Sequence, residues 1–122
     1  MNSAKNILMV DDEPIQLKLY QELLSLDYHV IVACSVTEAI HLLESEQVDA
    51  VGCDYNLNDG SGLQVVSWIE NHRPELLAYT VLITGDLVPP IKRGGVPLLY
   101  KPVPIDTLLD VVDSWFVEQK AP

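Results

Sequence analysis

The fold of this chain is decided by residues 50–57, AVGCDYNL, in which an apolar run ends in the single carboxylate of Asp54. The next segment, NDGSG at residues 58–62, is rich in turn-forming residues. Such a run is typical of a parallel strand buried on both faces, with the polar residue where the chain leaves the sheet. Open parallel sheets bind ligands outside these carboxyl ends. The pattern indicates a candidate site at Asp54, although one aspartate after a strand is more often a turn residue or a helix cap.

The rest of the chain alternates between strand and helix patterns. Strands are predicted at residues 6–10, 29–34, 49–54, 79–83 and 96–100. Apolar residues three or four positions apart predict the helices, which begin near Pro14, after a capping box of Ser35 and Glu38, at Gly62 and at Pro104, the last running to about Glu118. Five alternations predict an α/β fold, a doubly wound parallel sheet in one domain over residues 1–122.

The helix between the fourth and fifth strands is predicted to be short. Only residues 85–100 separate Thr84 from Lys101, and they contain Pro89-Pro90 and Gly94-Gly95. With a strand in the same segment, room remains for a helix of about two turns.

Composition excludes several classes of protein. The 122 residues include 7 basic and 18 acidic ones, a net charge of −11, which opposes binding to a nucleic-acid backbone. The sequence has no apolar stretch long enough to span a bilayer and no N-terminal secretion signal, so we expect a cytoplasmic protein. Cys34 and Cys53 lie in apolar runs without metal-ligand spacing, which predicts that both are small core residues.

Four predicted strands end in polar residues that together suggest chemistry. Asp11 and Asp12 follow the first strand, Asp54 the third, Thr84 the fourth and Lys101 the fifth. In the flavodoxin-like strand order 2-1-3-4-5, a three-layer sandwich, the first and third strands are neighbours and the three carboxylates converge. Clustered carboxylates favour a hard cation such as Mg²⁺. A lysine beside them suits a bound phosphoryl group, with Thr84 as a hydroxyl donor and Asp54 as the nucleophile.

Each of these residues alone has an ordinary structural interpretation. The aspartates at residues 11 and 12 could cap the first helix, Thr84 could satisfy the backbone, and Lys101 could extend along the surface. The three histidines, His29, His41 and His72, have no partners at ligand spacing. It is the whole set, placed at the predicted strand ends, that favours a site.

With these motifs the sequence resembles the receiver domain of two-component response regulators. The resemblance covers the whole chain and rests on ILMVDDE at residues 7–13, DYNLNDGSGL at 54–63, ITGD at 83–86 and YKP at 100–102. It implies that Asp54 accepts a phosphoryl group from a phosphohistidine on a sensor histidine kinase or histidine phosphotransfer protein. It also implies that Asp11, Asp12, Asp54 and the backbone carbonyl of Asn56 hold Mg²⁺, that Lys101 pairs with phosphoryl oxygens, and that Thr84 moves toward them. Such a domain is a signalling phosphoacceptor rather than an enzyme.

The chain departs from the family pattern in its output region. Asn58 stands where the family usually has proline, and Leu98 replaces the aromatic residue three positions before the lysine. We therefore expect activation to shift the loop from Gly85 to Pro90 and to dock another protein or an effector domain, with the chain itself favoured as a monomer. The resemblance and the turn at Lys101-Pro102 together predict a cis peptide bond there.

Other functions remain open at this stage. A small Mg²⁺-dependent phosphohydrolase could use Asp54 on a free metabolite, but it would need a second acid where Asn56 stands. A nucleotide or flavin module would need a Gly- or Ser-rich loop after the first strand, where this chain has Asp11-Asp12-Glu13. A receiver that lacks phosphorylation chemistry and serves only as an interaction module is a further alternative.

Overall fold

The computed structural model describes residues 4–85 and 95–116. Five parallel strands form one sheet in the spatial order β2-β1-β3-β6-β7: β1 (Asn6–Val10), β2 (His29–Ala33), β3 (Ala50–Asp54), β6 (Thr80–Thr84) and β7 (Leu98–Tyr100). Counting only these strands, the order is the predicted 2-1-3-4-5. The predicted doubly wound, flavodoxin-like fold is therefore confirmed, with β1 at its expected bounds and the other four strands one or two residues different at one end or both.

Helices cover both faces of the sheet. They are α1 (Pro14–Leu24), α2 (Val36–Ser45), α3 (Gly62–His72) and α4 (Ile105–Phe116), with a 3-10 helix at Pro74–Tyr79. With α4 at 12 residues the longest, no helix in the described ranges could cross a bilayer.

The continuous apolar runs arise because each strand serves two cores. In β1, Leu8 and Val10 pack into the core beneath α2 and α3, whereas Ile7 and Met9 pack into the core beneath α1 and α4. All four are at most 1% exposed. A strand with both faces buried has no polar alternation, and this is the pattern from which the strands were predicted.

Two helix starts differ from expectation. The Ser35 hydroxyl caps α2 by accepting from the Glu38 N–H, but the Glu38 carboxylate accepts from the Cys34 N–H at 2.7 Å instead of completing a box with Ser35. A complete capping box instead begins α3. There Ser61 Oγ accepts from Leu63 N–H, and Gln64 Oε1 accepts from Ser61 N–H.

Several features were not anticipated. Two short antiparallel strands, β4 (Asn56–Leu57) and β5 (Gly60–Ser61), form a hairpin after β3. Cys34 is exposed because β2 ends at Ala33, so its predicted burial was wrong, while Cys53 is buried as expected. The fifth sheet strand begins at Leu98 rather than at Val96.

The output region is covered only in part. The shortened helix predicted within residues 85–100 falls largely on residues 86–94, which lie outside the described residues, as does the end of the last helix beyond Phe116. The peptide bond between Lys101 and Pro102 is cis, which confirms that prediction.

Candidate functional site

The candidate site lies at the carboxyl edge of the sheet. Parallel pairing brings the ends of β1, β3, β6 and β7 to this edge, with Val10 opposite Cys53, Asp54 opposite Ile83 and Thr84 opposite Tyr100. Asp11, Asp54, Thr84 and Lys101 each stand at the end of one of these strands or directly after it. The structure therefore brings together the strand ends from which the site was predicted.

Three carboxylates form an acidic pocket, defined here by Asp11, Asp12 and Asp54. One oxygen of each lies within 4.8 Å of the other two. Asp11 is 1% and Asp54 6% exposed, while Asp12 is half-buried. Buried aspartates are uncommon unless they are paired or hold a cation, so this depth distinguishes the pocket from an ordinary acidic surface.

Lys101 bridges two of the carboxylates. Its Nζ donates to Asp11 Oδ2 and to Asp54 Oδ2, each at 3.2 Å. Burial works against the Lys101 ammonium, but its hydrogen bonds to Asp11 and Asp54 and their charges outweigh burial and raise the pKa of Lys101. The side chain is thus held as a cation beside the acid at the end of β3.

Asp54 has the opposite balance. Burial raises the pKa of Asp54, the Lys101 charge opposes this, and the nearby Asp11 carboxylate adds to it, so the pKa stays above the usual aspartate range. Lys101 therefore does not fully offset the cost of burying the Asp54 charge beside Asp11. A cation bound in the acidic pocket would offset both that cost and the repulsion between the two carboxylates.

Backbone contacts fix the loops that carry the acids. The Asp11 N–H donates to Ala33 O at 3.1 Å, and Asp11 Oδ1 accepts from the Glu13 N–H at 3.0 Å. After β3, the Tyr55 N–H donates to Ile83 O at 2.6 Å. These bonds anchor the loop after β1 and the loop after β3 to neighbouring strands.

Glycine is required where α3 passes under the acid. A Cβ atom on Gly62 would lie 2.5 Å from the backbone oxygen of Asp54 and 2.9 Å from Leu82 Cδ2. The missing side chain lets the start of α3 approach the end of β3, and Gly62 N–H donates to Tyr55 O at 2.7 Å. The turn between the acid and the helix is thereby closed tightly.

The remaining predicted residues lie beside the pocket. Thr84 is fully buried at the end of β6, and its carbonyl oxygen accepts from the Lys101 N–H at 2.6 Å. Asn56 follows Asp54 by two positions, and its N–H approaches Asp54 Oδ1 at 3.4 Å. Leu98, which replaces the aromatic residue that the family usually has three positions before the lysine, is half-buried against the core beneath α2 and α3. Tyr100 is 53% exposed.

Two residues near the site were not foreseen as relevant to it. Tyr20 of α1 is buried. Its burial, the larger cause, and the charge of Asp11 together raise the pKa of Tyr20 to about 12. Its helical spacing predicted only a core position. Asp59, at the hairpin tip, accepts hydrogen bonds from the start of α2. The sequence signal that could have revealed the hairpin is Asn58-Asp59-Gly60 between Leu57 and Ser61.

The acidic pocket fits a divalent cation. Its donors are all carboxylate oxygens, two of them from side chains that are almost fully buried, and they converge within 4.8 Å. Mg²⁺ prefers such oxygen ligands, few in number, with water or phosphate completing the shell.

Comparison with known proteins places the chain among signalling proteins. The family described as response regulator receiver domain matches residues 7–113. Transcriptional regulatory protein GlrR of Escherichia coli (strain K12) is 33% identical in an alignment 121 positions long, which covers 96% of this chain and 27% of GlrR. Polar-differentiation response regulator DivK of Brucella ovis is 25% identical over 119 residues, covering 92% of this chain and 96% of DivK. The chain thus spans about a quarter of the length of GlrR and nearly all of DivK.

Solved structures agree. A CheY-like response regulator receiver domain protein from Methanospirillum hungatei JF-1 superimposes with a TM-score of 0.85 at 25% identity, covering 97% of this chain and 98% of that one. The signal receiver domain of an HD domain-containing protein from Pseudomonas fluorescens Pf-5 gives 0.84 at 27% identity, with coverage of 98% and 100%.

Proposed function

Because the chain belongs to the response regulator receiver domain family and so to two-component phosphorelay signalling, we propose that Asp54 is its phosphoryl acceptor. The observation that carries this proposal is the contact of Asp54 with Lys101 inside the acidic pocket. A nucleophilic carboxylate needs a cation beside it to accept a phosphoryl group, whose oxygens are themselves negative.

The proposed transfer has one bond formed and one broken. A carboxylate oxygen of Asp54 attacks the phosphorus of a phosphohistidine. The bond from phosphorus to the imidazole nitrogen breaks, and that nitrogen keeps the electron pair, so Asp54 becomes an acyl phosphate. Signalling ends when water attacks the phosphorus, which restores the Asp54 carboxylate and releases inorganic phosphate.

Three side chains have supporting roles in this proposal. The Lys101 ammonium pairs with the phosphoryl oxygens, a role favoured by its raised pKa. The Thr84 hydroxyl donates a hydrogen bond to the same group. Asp11 positions Lys101 through their 3.2 Å contact.

We propose Mg²⁺ as the cofactor, held by Asp11, Asp12, Asp54 and the backbone carbonyl of Asn56. The convergence of the three carboxylates supports this ligand set. When bound, the ion supplies positive charge to the phosphoryl oxygens. The chain's own residues bind it and align Asp54 for attack.

The proposed partners follow from the family. A sensor histidine kinase or a histidine phosphotransfer protein donates the phosphoryl group, and an effector domain or protein receives the signal. We propose a cytoplasmic, monomeric receiver over residues 1–122, without direct nucleic-acid binding, as the net charge of −11 favours. It is a signalling phosphoacceptor, and nothing supports the alternative of a metabolite phosphohydrolase.

Labelling by a small donor tests the acceptor. Incubation with acetyl phosphate should add one phosphoryl group to the wild type, seen by intact-mass spectrometry, only when Mg²⁺ or Mn²⁺ is present. Asp54→Ala should remain unlabelled, and Asp106→Ala, which removes an exposed aspartate in the first turn of α4, should label as the wild type does. Equal labelling of wild type and Asp54→Ala would show that Asp54 is not the acceptor.

A further inference from the structure

The tip of the β4–β5 hairpin is fastened to a different part of the chain. Asp59 Oδ1 accepts from the Val36 N–H at 2.8 Å, and Asp59 Oδ2 accepts from the Thr37 N–H at 3.1 Å and from Thr37 Oγ1 at 3.0 Å. One carboxylate therefore takes three hydrogen bonds from the first turn of α2. These bonds lower the pKa of Asp59, and the bond from the Val36 N–H has the largest effect. The side chain is therefore charged at neutral pH.

The other end of the hairpin is fastened to the sheet. The Tyr55 N–H donates to Ile83 O at 2.6 Å, and the Gly62 N–H donates to Tyr55 O at 2.7 Å. Leu57 of the hairpin and Val36 of α2 are both buried in the core beneath α2 and α3. The segment between these fixed points contains Asn56, whose carbonyl is proposed above as a cation ligand.

The α2 helix does not depend on Asp59 for its own cap. The Ser35 hydroxyl already accepts from the Glu38 N–H at 3.0 Å. Asp59 comes from 22 and 23 positions away in the chain to bond Thr37 and Val36. A local cap and a remote clamp therefore act on the same helix end, and only the clamp fixes the hairpin as well.

We propose that Asp59 is a positioning residue for the cation site, holding the β4–β5 hairpin against α2 so that the Asn56 carbonyl stays beside the acidic pocket. This inference rests on the proposed function. A backbone carbonyl in a surface hairpin has freedom that a buried side chain lacks, and ordering it on binding weakens the net affinity. Asp59 removes that freedom in advance, as hydrogen-bonded supports do for side-chain ligands in metal sites.

Binding of Mn²⁺ to the whole chain, followed by electron paramagnetic resonance with Mg²⁺ as competitor, tests the proposal. Asp59→Ala should weaken Mn²⁺ binding by about tenfold, at the low end of the effect of losing an outer support of a metal site. Asp59→Asn removes the same charge but keeps an acceptor for the Val36 N–H, so its loss of Mn²⁺ affinity should be smaller than that of Asp59→Ala. Ser35→Ala loosens the same helix end without touching the hairpin, and its affinity should equal that of the wild type.

Labelling provides a second measurement. At saturating Mg²⁺ the rate of acetyl phosphate labelling of Asp59→Ala should return toward the wild-type rate, because the variant keeps Asp54 and Lys101. If Asp59→Ala does not fold, Asp59→Asn against Ser35→Ala makes the same comparison.

The outcomes separate the two proposals. Weaker Mn²⁺ binding by Asp59→Ala than by the wild type, with Ser35→Ala at the wild-type affinity and a smaller loss in Asp59→Asn, supports the inference. Equal affinity of wild type and Asp59→Ala overturns the inference alone. Equal losses in Asp59→Ala and Asp59→Asn identify a charge effect and also overturn it, as does an equal loss in Ser35→Ala. A wild type that neither binds Mn²⁺ nor becomes labelled overturns the proposed function itself.

Discussion

Two aspartates five positions apart, Asp54 and Asp59, have opposite electrostatic surroundings. Asp54 is buried beside Asp11, and burial, with that neighbour adding to it, keeps its pKa raised despite Lys101. Asp59 is exposed, and the hydrogen bonds from the start of α2 lower its pKa. The segment from Asp54 to Asp59 therefore contains one carboxylate whose charge opposes folding and one whose charge favours it.

Removing the charge at Asp54 should stabilise the protein in the absence of divalent cations. We expect Asp54→Asn to raise the free energy of unfolding by an amount on the order of 1 kcal/mol at neutral pH, the usual size of a single stabilising substitution. A raised folded-state pKa gives stability that is present below the unfolded pKa and lost as pH rises through the folded pKa. The gain in Asp54→Asn should therefore be full above the folded pKa of Asp54 and vanish below its unfolded pKa. Urea unfolding with a chelator, across a pH series, measures this.

Asp59→Ala is the control of opposite sign. Because the folded-state pKa of Asp59 is lowered, its contribution is present above the unfolded pKa and lost as pH falls through the folded pKa. Asp59→Ala should thus destabilise at neutral pH and converge with the wild type in acid. The same pH slope for both variants would contradict the assigned environments.

At the scale of elements, the regular strands and helices could be predicted, and the connections could not. Leu8 and Met9 face opposite cores, so β1 is apolar throughout and stands out in the sequence. The β4–β5 hairpin has two residues per strand, including Asn56 and Gly60, which have no preference for strands. The only local signal is the turn sequence Asn58-Asp59-Gly60, whereas the contact of Asp59 with the start of α2 comes from 22 and 23 positions away, which no local pattern specifies.

The junction of β3 and α3 should not accept a side chain. We expect Gly62→Ala to lower the free energy of unfolding by about 1–3 kcal/mol, the usual penalty for forcing atoms into a packed interior. Its Cβ would meet the Asp54 backbone oxygen at 2.5 Å. Gly85→Ala is the matched control, since its Cβ would meet nothing closer than 3.9 Å. Equal stability of Gly62→Ala and wild type in urea unfolding would contradict the close approach.

Helix α1 carries an apolar surface next to the acidic pocket. Ile15 is 81% and Leu19 46% exposed, and they lie one turn apart on a helix that begins directly after the pocket's loop. Under the proposed function, a protein that brings a phosphohistidine to Asp54 must contact the surroundings of the pocket. We therefore expect this surface, Ile15 and Leu19, to be covered by the donor protein during transfer.

Substitutions on α1 should separate protein donors from small ones. The test uses a phosphorylated histidine phosphotransfer protein that labels the wild type. With the double variant Ile15→Ser and Leu19→Ser, the rate of transfer from this donor should fall about tenfold, the effect of losing an interface anchor. Labelling by acetyl phosphate should not change. Leu26→Ser is the control, because Leu26 is 85% exposed but follows the other end of α1. A similar slowing by Leu26→Ser, or slowing with acetyl phosphate, would refute the assignment.

At the scale of the whole molecule, the strand order alone brings the site together. Asp11, Asp54 and Lys101 are far apart in sequence, and they meet because three neighbouring or nearby strands end at one edge. That convergence could be predicted once the order was known. The coupling of Asp59 to α2 could not, since it depends on where a surface hairpin rests.

The activated molecule should remain a monomer. Leu98 has no ring or hydroxyl to reorient, so we expect beryllofluoride, a mimic of the phosphoryl group, to act mainly on the loop from Gly85 to Pro90. Amide signals should shift at Asp54, at Lys101 and from Thr84 to Val88, since Pro89 and Pro90 have no amide hydrogen. Residues 86–90 of this loop lie outside the described part of the chain. Light scattering with the mimic and Mg²⁺ should give the mass of one 13.6 kDa chain. A symmetric dimer would contradict this expectation and indicate output through self-association.

Lys101 is attached at two levels to the rest of the sheet edge. Its N–H donates to Thr84 O, and its ammonium holds Asp11 and Asp54. The carboxyl end of β7, a short strand at the edge of the sheet, is therefore held in part by the attraction between Lys101 and the carboxylates of the acidic pocket. Exchange of the Lys101 amide hydrogen with solvent requires the end of β7 to open locally. We therefore expect its exchange rate to depend on whether Asp54 carries its negative charge, a bound cation or a phosphoryl group. One backbone hydrogen would then report the chemistry of a side chain 47 residues away.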